Sequence, residues 1–243
     1  MSPDQAGTKQ SVEESALRCL EALKKNNFNG TYCPSGAEAL EHLLRTIPPD
    51  ASVGFGDSKT TRQIGLPRAL HDRGQKLISP FWEDDPDAYR FPQTGKAYQA
   101  MIDALTADFF VAGINAISED GKIVNNDVGG NRVAGMIFGP RRVILVAGTN
   151  KIVPDLPAAL ERVKRVAAPR NARRLASEAD MESILGDMMQ NMGKSMDSLV
   201  APCAVTGECE DCDVCMLLCY TTIIGHQLMP RIEVVLIGED LGL

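Results

Sequence analysis

The chain has 243 residues, 44% of them apolar, and a formal net charge of −7, enough to bury one sizeable core. A pI near 5.1 argues against nucleic acid or an anionic membrane surface as partner, since both would be repelled. No run of about 20 apolar residues offers a membrane span, and Met1-Ser-Pro-Asp-Gln starts no secretory signal, so a cytoplasmic location is expected.

In chain order, residues 1–9 read as a tail and 10–243 as one domain. Ser11-Val-Glu-Glu14 has capping-box spacing, and Val12, Ala16, Cys19, Leu20 and Leu23 recur at helical intervals. Ser35-Gly-Ala-Glu38 repeats the signal before Leu40, Leu43, Leu44 and Ile47, and Pro48-Pro49 stops that helix. Ala51-Ser-Val-Gly-Phe predicts a short buried strand, then a glycine turn and a helix from about Ser58. Lys76-Leu-Ile-Ser predicts the next strand, residues 96–107 a helix, and Asp108-Phe-Phe-Val-Ala-Gly another strand. Residues 117–125 predict a hairpin turning at Asp120-Gly121.

Residues 128–138 predict a helix closed by Gly139-Pro140. Arg142-Val-Ile-Leu-Val-Ala-Gly is apolar almost throughout, as a strand buried on both faces must be. Residues 156–166 predict an amphipathic helix, 170–191 a polar, methionine-rich helical stretch, and Ile232-Glu-Val-Val-Leu-Ile-Gly a last strand. Strands alternating with helices imply an α/β fold, a mostly parallel sheet with helices on both faces.

Three segments carry chemistry. Gly54, Gly56, Ser58, Lys59, Thr60 and Thr61 follow a strand and open a helix, where bare backbone, amides and hydroxyls suit an anion. The spacing is neither a Walker loop nor a complete dinucleotide fingerprint, and a plain tight turn capped by Ser58 explains it equally well. Asn115 to Arg132 is dense in polar and glycine residues between apolar strands, as suits a rim at strand ends. Within it Glu119 has the chemistry of a nucleophile or general base, and Arg132 that of a clamp for carboxylate or phosphate. Asn131 reads equally as a helix cap, and Lys151 brings one more cation to the same edge.

The third segment gathers Cys203, Cys209, Cys212, Cys215 and Cys219, five of the chain's seven cysteines, within seventeen residues. In a reducing compartment such density reads as metal binding before disulfides. The spacing C-x2-C-x2-C-x3-C and the thiolate-only donor set point to a [4Fe–4S] cluster, with structural zinc as the alternative. Local spacing favours Cys209, Cys212, Cys215 and Cys219, or Cys203 in place of Cys215. Cys19 and Cys33 read as buried apolar fillers.

Val53-Gly-Phe-Gly-Asp-Ser-Lys-Thr-Thr, Ala116-Ile-Ser-Glu-Asp-Gly-Lys-Ile-Val-Asn, Gly130-Asn-Arg-Val-Ala-Gly-Met-Ile-Phe-Gly-Pro and Val146-Ala-Gly-Thr-Asn-Lys-Ile-Val together resemble the LUD (lactate-utilisation) domain. The closing Gly238-Glu-Asp-Leu-Gly resembles it too. The resemblance implies a NagB/RpiA/CoA-transferase-like sheet in which the glycine–hydroxyl loop cradles a phosphate or acyl-CoA group. It also implies a nucleophilic role for Glu119, and ligation by Cys203, Cys209, Cys212 and Cys219, with Cys215 extra and residues 200–220 forming the iron–sulfur segment.

The expected function is therefore an iron–sulfur subunit of a system oxidising lactate to pyruvate. Its ligand would be a small anionic metabolite such as a hydroxy acid, sugar phosphate or CoA ester. Its partners would be other lactate-utilisation subunits or further copies of the chain. The alternatives are an isomerase or transferase with a structural metal, and a non-catalytic iron–sulfur or zinc sensor.

Overall fold

In a computed structural model the chain is described over residues 3–82, 85–87, 96–127, 129–177, 201–210 and 220–243. Ten strands occur there: β1 (Asn29–Cys33), β2 (Ser52–Phe55), β3 (Lys76–Ile78), β4 (Phe109–Gly113), β5 (Ala116–Ser118), β6 (Ile123–Asp127), β7 (Arg142–Gly148), β8 (Ile152–Val153), β9 (Tyr220–Ile224) and β10 (Ile232–Ile237). Six form one sheet in the order β1-β10-β7-β4-β2-β3, every neighbouring pair parallel. The central strands β4, β7 and β10 are buried nearly throughout, as their unbroken apolar sequences require.

Helices cover both faces of this sheet. Helix α1 (Pro3–Lys25) packs Ala16, Cys19 and Leu23 against Val143, Leu145, Val234 and Leu236. Helix α2 (Gly36–Thr46) packs Ala39 and Leu43 on the opposite face with Val53, Val111, Ile144 and Val235. The alternation along each strand thus feeds two separate cores. The predicted cap is in place at α2, where the Ser35 hydroxyl accepts from the Glu38 amide at 3.3 Å. At α1 the helix starts at Pro3, eight residues ahead of the Ser11 signal, so residues 3–9 are helical rather than a tail. Proline is tolerated in a first turn. The single helix expected from Ser58 is two, α3 (Lys59–Gln63) and α4 (Leu66–Asp72), divided at Gly65, whose φ of 73° lies outside the helical region.

A second sheet was not foreseen beyond its central hairpin. Its order is β8-β5-β6-β9, with β5 and β6 turning at Asp120-Gly121 as expected. Ile117 and Ile123 face the main core, while Ala116 and Val124 pack on Ala159 and Val163. Those last two belong to α7 (Leu156–Arg162) and a π-helical turn (Val163–Ala167) that runs on into α8 (Ala168–Ser177). The remaining described helices are α5 (Lys96–Ala104), α6 (Asn131–Ile137) and α9 (Pro202–Thr206). Among the described residues no helix is long and apolar enough to cross a membrane.

Gly54 shows how tightly α5 is seated. A Cβ there would lie 2.6 Å from the carbonyl oxygen of Ala104, and backbone cannot swing aside as a side chain can. Gly54→Ala is expected to lower stability by about 1–3 kcal/mol through overpacking. The urea unfolding midpoint measures it, and an unchanged midpoint would show that α5 yields freely.

Candidate anion site at the carboxyl edge of the sheet

Parallel α/β sheets offer ligands the carboxyl ends of their strands, where loops and helix starts converge. At that edge β4 runs out into Asn115, and every polar backbone and carbonyl group of this residue is engaged. Its amide donates to Asn125 Oδ1 at 3.2 Å, and its carbonyl accepts from Arg162 Nη1. Its side-chain oxygen accepts from the Asn126 amide at 2.8 Å and from Arg132 Nη2 at 3.3 Å. The preceding carbonyl, of Ile114, accepts from Lys151 Nζ at 3.0 Å. One dipeptide thus gathers Arg132, Lys151 and Arg162.

No aspartate or glutamate side chain among the described residues lies within ion-pair distance of any of these three cations. Lys151 sits in a 3-10 turn directly after β7, only 4% exposed, and also donates to Thr60 Oγ1 at 3.2 Å. Burial first, then the positive fields of Arg162 and Arg132, push its pKa down to about 7. Burial and Arg170 likewise lower Arg162 to about 10. Arg162 holds the edge together through main-chain oxygens, the Asn150 carbonyl and the terminal oxygen of Leu243, both at 3.2 Å. The closing segment lies over Lys151: Leu241 donates to Asn150 Oδ1, and a Cβ on Gly242 would come within 2.5 Å of Nζ.

The glycine–hydroxyl loop adjoins this cluster, but its groups are largely used within the protein. Ser58 caps α3 by accepting from the Thr61 amide at 3.2 Å, and the Thr61 hydroxyl donates back to the Ser58 carbonyl at 2.9 Å. Thr60 accepts from Lys151. Gly56 leaves room for the stem of Arg132, whose Cγ would be 2.8 Å from a Cβ there. Asp57 pairs with Arg62 at 3.8 Å and with Arg174 of α8. Lys59 is exposed on α3, and Asn131 opens α6 next to Arg132, whose amide donates to Asp127 Oδ2 at 3.0 Å.

Glu119 lies elsewhere. Its carboxylate accepts from Ser15 Oγ at 2.6 Å and pairs with Arg18 at 3.1 Å, both on α1. Those two hydrogen bonds, Arg18 first, hold its pKa below the usual carboxylate range. Gly121 of the same turn packs against the α1 backbone at Ala22 and Leu23. The hairpin tip is therefore a helix-docking contact, away from Asn115.

Of the cysteine segment, Cys203 is buried in α9 and Cys209 is half-buried, while Cys212, Cys215 and Cys219 lie outside the described residues. The described part is docked on the π turn and α8. Cys209 donates its amide to the Lys164 carbonyl at 2.9 Å, Arg165 pairs with Glu208 at 3.1 Å, and Arg173 Nε donates to the Ala204 carbonyl at 2.6 Å. Cys19 and Cys33 are buried, Cys19 with its thiol pushed up to about 12 by burial first, then Glu119 and Asp120.

Sequence reasoning had not singled out Asn115, Asn125, Arg162 or Thr222. A lone polar residue at a strand end reads as turn chemistry, and only the tertiary fold shows it to be shared by several cations.

The LUD domain family profile matches residues 17–218. A solved structure of a DUF162 family protein from Deinococcus radiodurans aligns over 93% of this chain and 97% of its own, at 14% identity and a TM-score of 0.48. No curated protein matches the chain.

The lysine also sets a pH dependence. Its ordinary pKa is 10.5 and its folded value about 7, so between these the unfolded chain holds the extra proton. Its contribution to stability is therefore lowest below the folded value and rises with pH towards the unfolded one. Relative to Lys151→Met, the wild type is expected to gain about 2 kcal/mol from about pH 7 to about pH 9. Paired thermal unfolding curves read this, and parallel pH profiles for the two proteins would contradict it.

Proposed function

The chain belongs to the LUD (lactate-utilisation) domain family, and from that premise we propose that it holds a small anionic metabolite at the carboxyl edge of its sheet. The observation that carries this reading is the gathering of Arg132, Lys151 and Arg162 around Asn115 with no aspartate or glutamate side chain paired to them among the described residues. Buried charge without a partner is costly, and an anion arriving from solvent removes the cost. Arg132 is the cation best placed to receive it, being half-exposed, while Arg162 is spent on main-chain oxygens. With its pKa near 7, Lys151 Nζ is the group at this edge able to exchange a proton at neutral pH.

The finer reading is that of an iron–sulfur subunit serving the oxidation of lactate to pyruvate. Five closely spaced thiols form a donor set suited to an iron–sulfur cluster. Among the described residues, which include two of the five, no metal-binding group of three or more side chains gathers. When bound, such a cluster supplies one-electron transfer. Removal of two electrons and two protons from a hydroxy acid needs an acceptor, and no flavin or nicotinamide fingerprint occurs in the sequence. Partner subunits complete the reaction in this reading.

Anaerobic purification with metal analysis tests the cluster: iron with inorganic sulfide and broad visible absorption are expected, and a colourless protein with stoichiometric zinc would remove the redox reading. Glu119→Gln separates the transferase alternative. Because the Arg18–Glu119 contact is a surface pair, the substitution is expected to leave the thermal unfolding midpoint nearly unchanged and anion binding intact. A folded Glu119→Gln protein that no longer processes any CoA ester turned over by the wild type would favour the alternative.

A further inference from the structure

Two polar groups next to the anion site are buried without a hydrogen-bond partner: Asn125 Nδ2 and Thr222 Oγ1. They sit directly opposite each other, Asn125 on β6 and Thr222 on β9, in the antiparallel register of the second sheet. Paired residues of such strands carry their side chains on the same face, about 5 Å apart at Cβ. The orientation of the Asn125 amide is fixed by its neighbour: the Asn115 N–H donates to Oδ1, so the NH2 is the end left unmet. Asn125 is fully buried, and such groups in proteins nearly always have a partner.

The position of this pair gives it meaning. The peptide that supplies the N–H to Asn125 is the one whose carbonyl receives Lys151 Nζ. The carbonyl of the next residue, Asn126, receives Arg132 Nη2. The unmet donor therefore adjoins the cation assigned to the ligand's acidic group. The hydroxyl opposite donates or accepts as needed, so the pair can hold one neutral oxygen. Strand β9 ends the sheet in the order β8-β5-β6-β9, so it can shift to admit a ligand without breaking a second strand pairing among the described residues.

We propose that Asn125 and Thr222 form a neutral polar subsite that reads the 2-hydroxyl or 2-oxo oxygen of a short monocarboxylate whose carboxylate is bound by Arg132. This rests on the anion-site reading above and adds to it the feature that selects among anions. A site made to hydrogen-bond a substrate oxygen rejects the analogue lacking it far more strongly than an apolar pocket rejects a missing methylene.

The test compares (S)-2-hydroxypropanoate with propanoate, which share charge and carbon skeleton and differ only in that oxygen. Calorimetric titration of the purified full chain is expected to show at least about tenfold tighter binding of the hydroxy acid. Thr222→Val, of nearly the same shape, is expected to unfold no earlier than the wild type, keep the propanoate affinity and lose most of the preference. Asn125→Asp keeps the acceptor for the Asn115 amide but replaces the donor by negative charge, and is expected to lose binding of both acids. Arg132→Gln should lose both acids as well.

Equal binding of the two acids by the wild type overturns the subsite while leaving the anion site standing. A preference that survives in Thr222→Val overturns the assignment of Thr222, and binding of neither acid sinks this ligand class altogether. A Thr222→Val protein that unfolds earlier with its preference unchanged shows that the pair holds only a structural water.

Discussion

Three cations share the end of one strand, and most of the chemistry of this fold follows from how that is tolerated. Asn115 and the peptide before it offer hydrogen-bond acceptors to Arg132, Lys151 and Arg162, but no opposing charge. Backbone and amide oxygens satisfy geometry while leaving the field positive, and burial first, then that field, pushes Lys151 down to about 7. A chain selected for stability alone would neutralise such a cluster with a carboxylate or replace it by apolar side chains. The carboxylate nearby, Asp57, is instead taken up by Arg62 and Arg174. Local conflicts of this kind concentrate where a protein keeps a binding function.

The strands of the main sheet were legible because burial on both faces leaves its mark on every residue: Phe109–Gly113, Arg142–Gly148 and Ile232–Ile237 are almost wholly apolar. Edge strands carry a weaker mark. Asn29-Gly-Thr-Tyr-Cys, at one edge of the main sheet, has too few apolar residues to read as a strand, and its pairing with Ile232–Ile237 supplies the order. Tyr220-Thr-Thr-Ile-Ile is rich in strand formers, but it directly follows the cysteines, and no element is predicted for it. The site was half legible. Arg132 and Lys151 stand out as cations beside glycine-rich or apolar segments, whereas Asn115 becomes a hub only when β4 brings it between them.

The glycine–hydroxyl loop has the second of the two uses its sequence allows, a tight capped turn. Its spacing suggested bare backbone waiting for an anion, yet the glycines admit neighbouring protein, α5 at Gly54 and the Arg132 stem at Gly56. Its hydroxyls close on each other and on Lys151. The loop thereby fixes where Arg132 and Lys151 stand, so its composition serves the anion site indirectly. Glu119 is a similar case, since the turn that carries it docks on α1 through Ser15, Arg18 and the backbone at Ala22.

The helical run from Leu156 to Ser177 links the edge to the cysteine segment. Arg162 at its start holds Asn115, Asn150 and Leu243, and Arg174 near its end holds Asp57. Between them Lys164, Arg165 and Arg173 bind the stretch from Ala204 to Cys209. The π turn at Val163–Ala167 lies in this middle part, and π turns are frequent at functional sites because the extra residue redirects side chains. The closing segment seals the Lys151 side of the edge, with Leu241 tied to Asn150 and Gly242 pressed against Nζ. The half-exposed Arg132 then marks the open side, towards the second sheet. In the proposed reading an anion arriving there would meet Arg132 first and the unmet groups of Asn125 and Thr222 next, with Lys151 linked to them through the Ile114–Asn115 peptide.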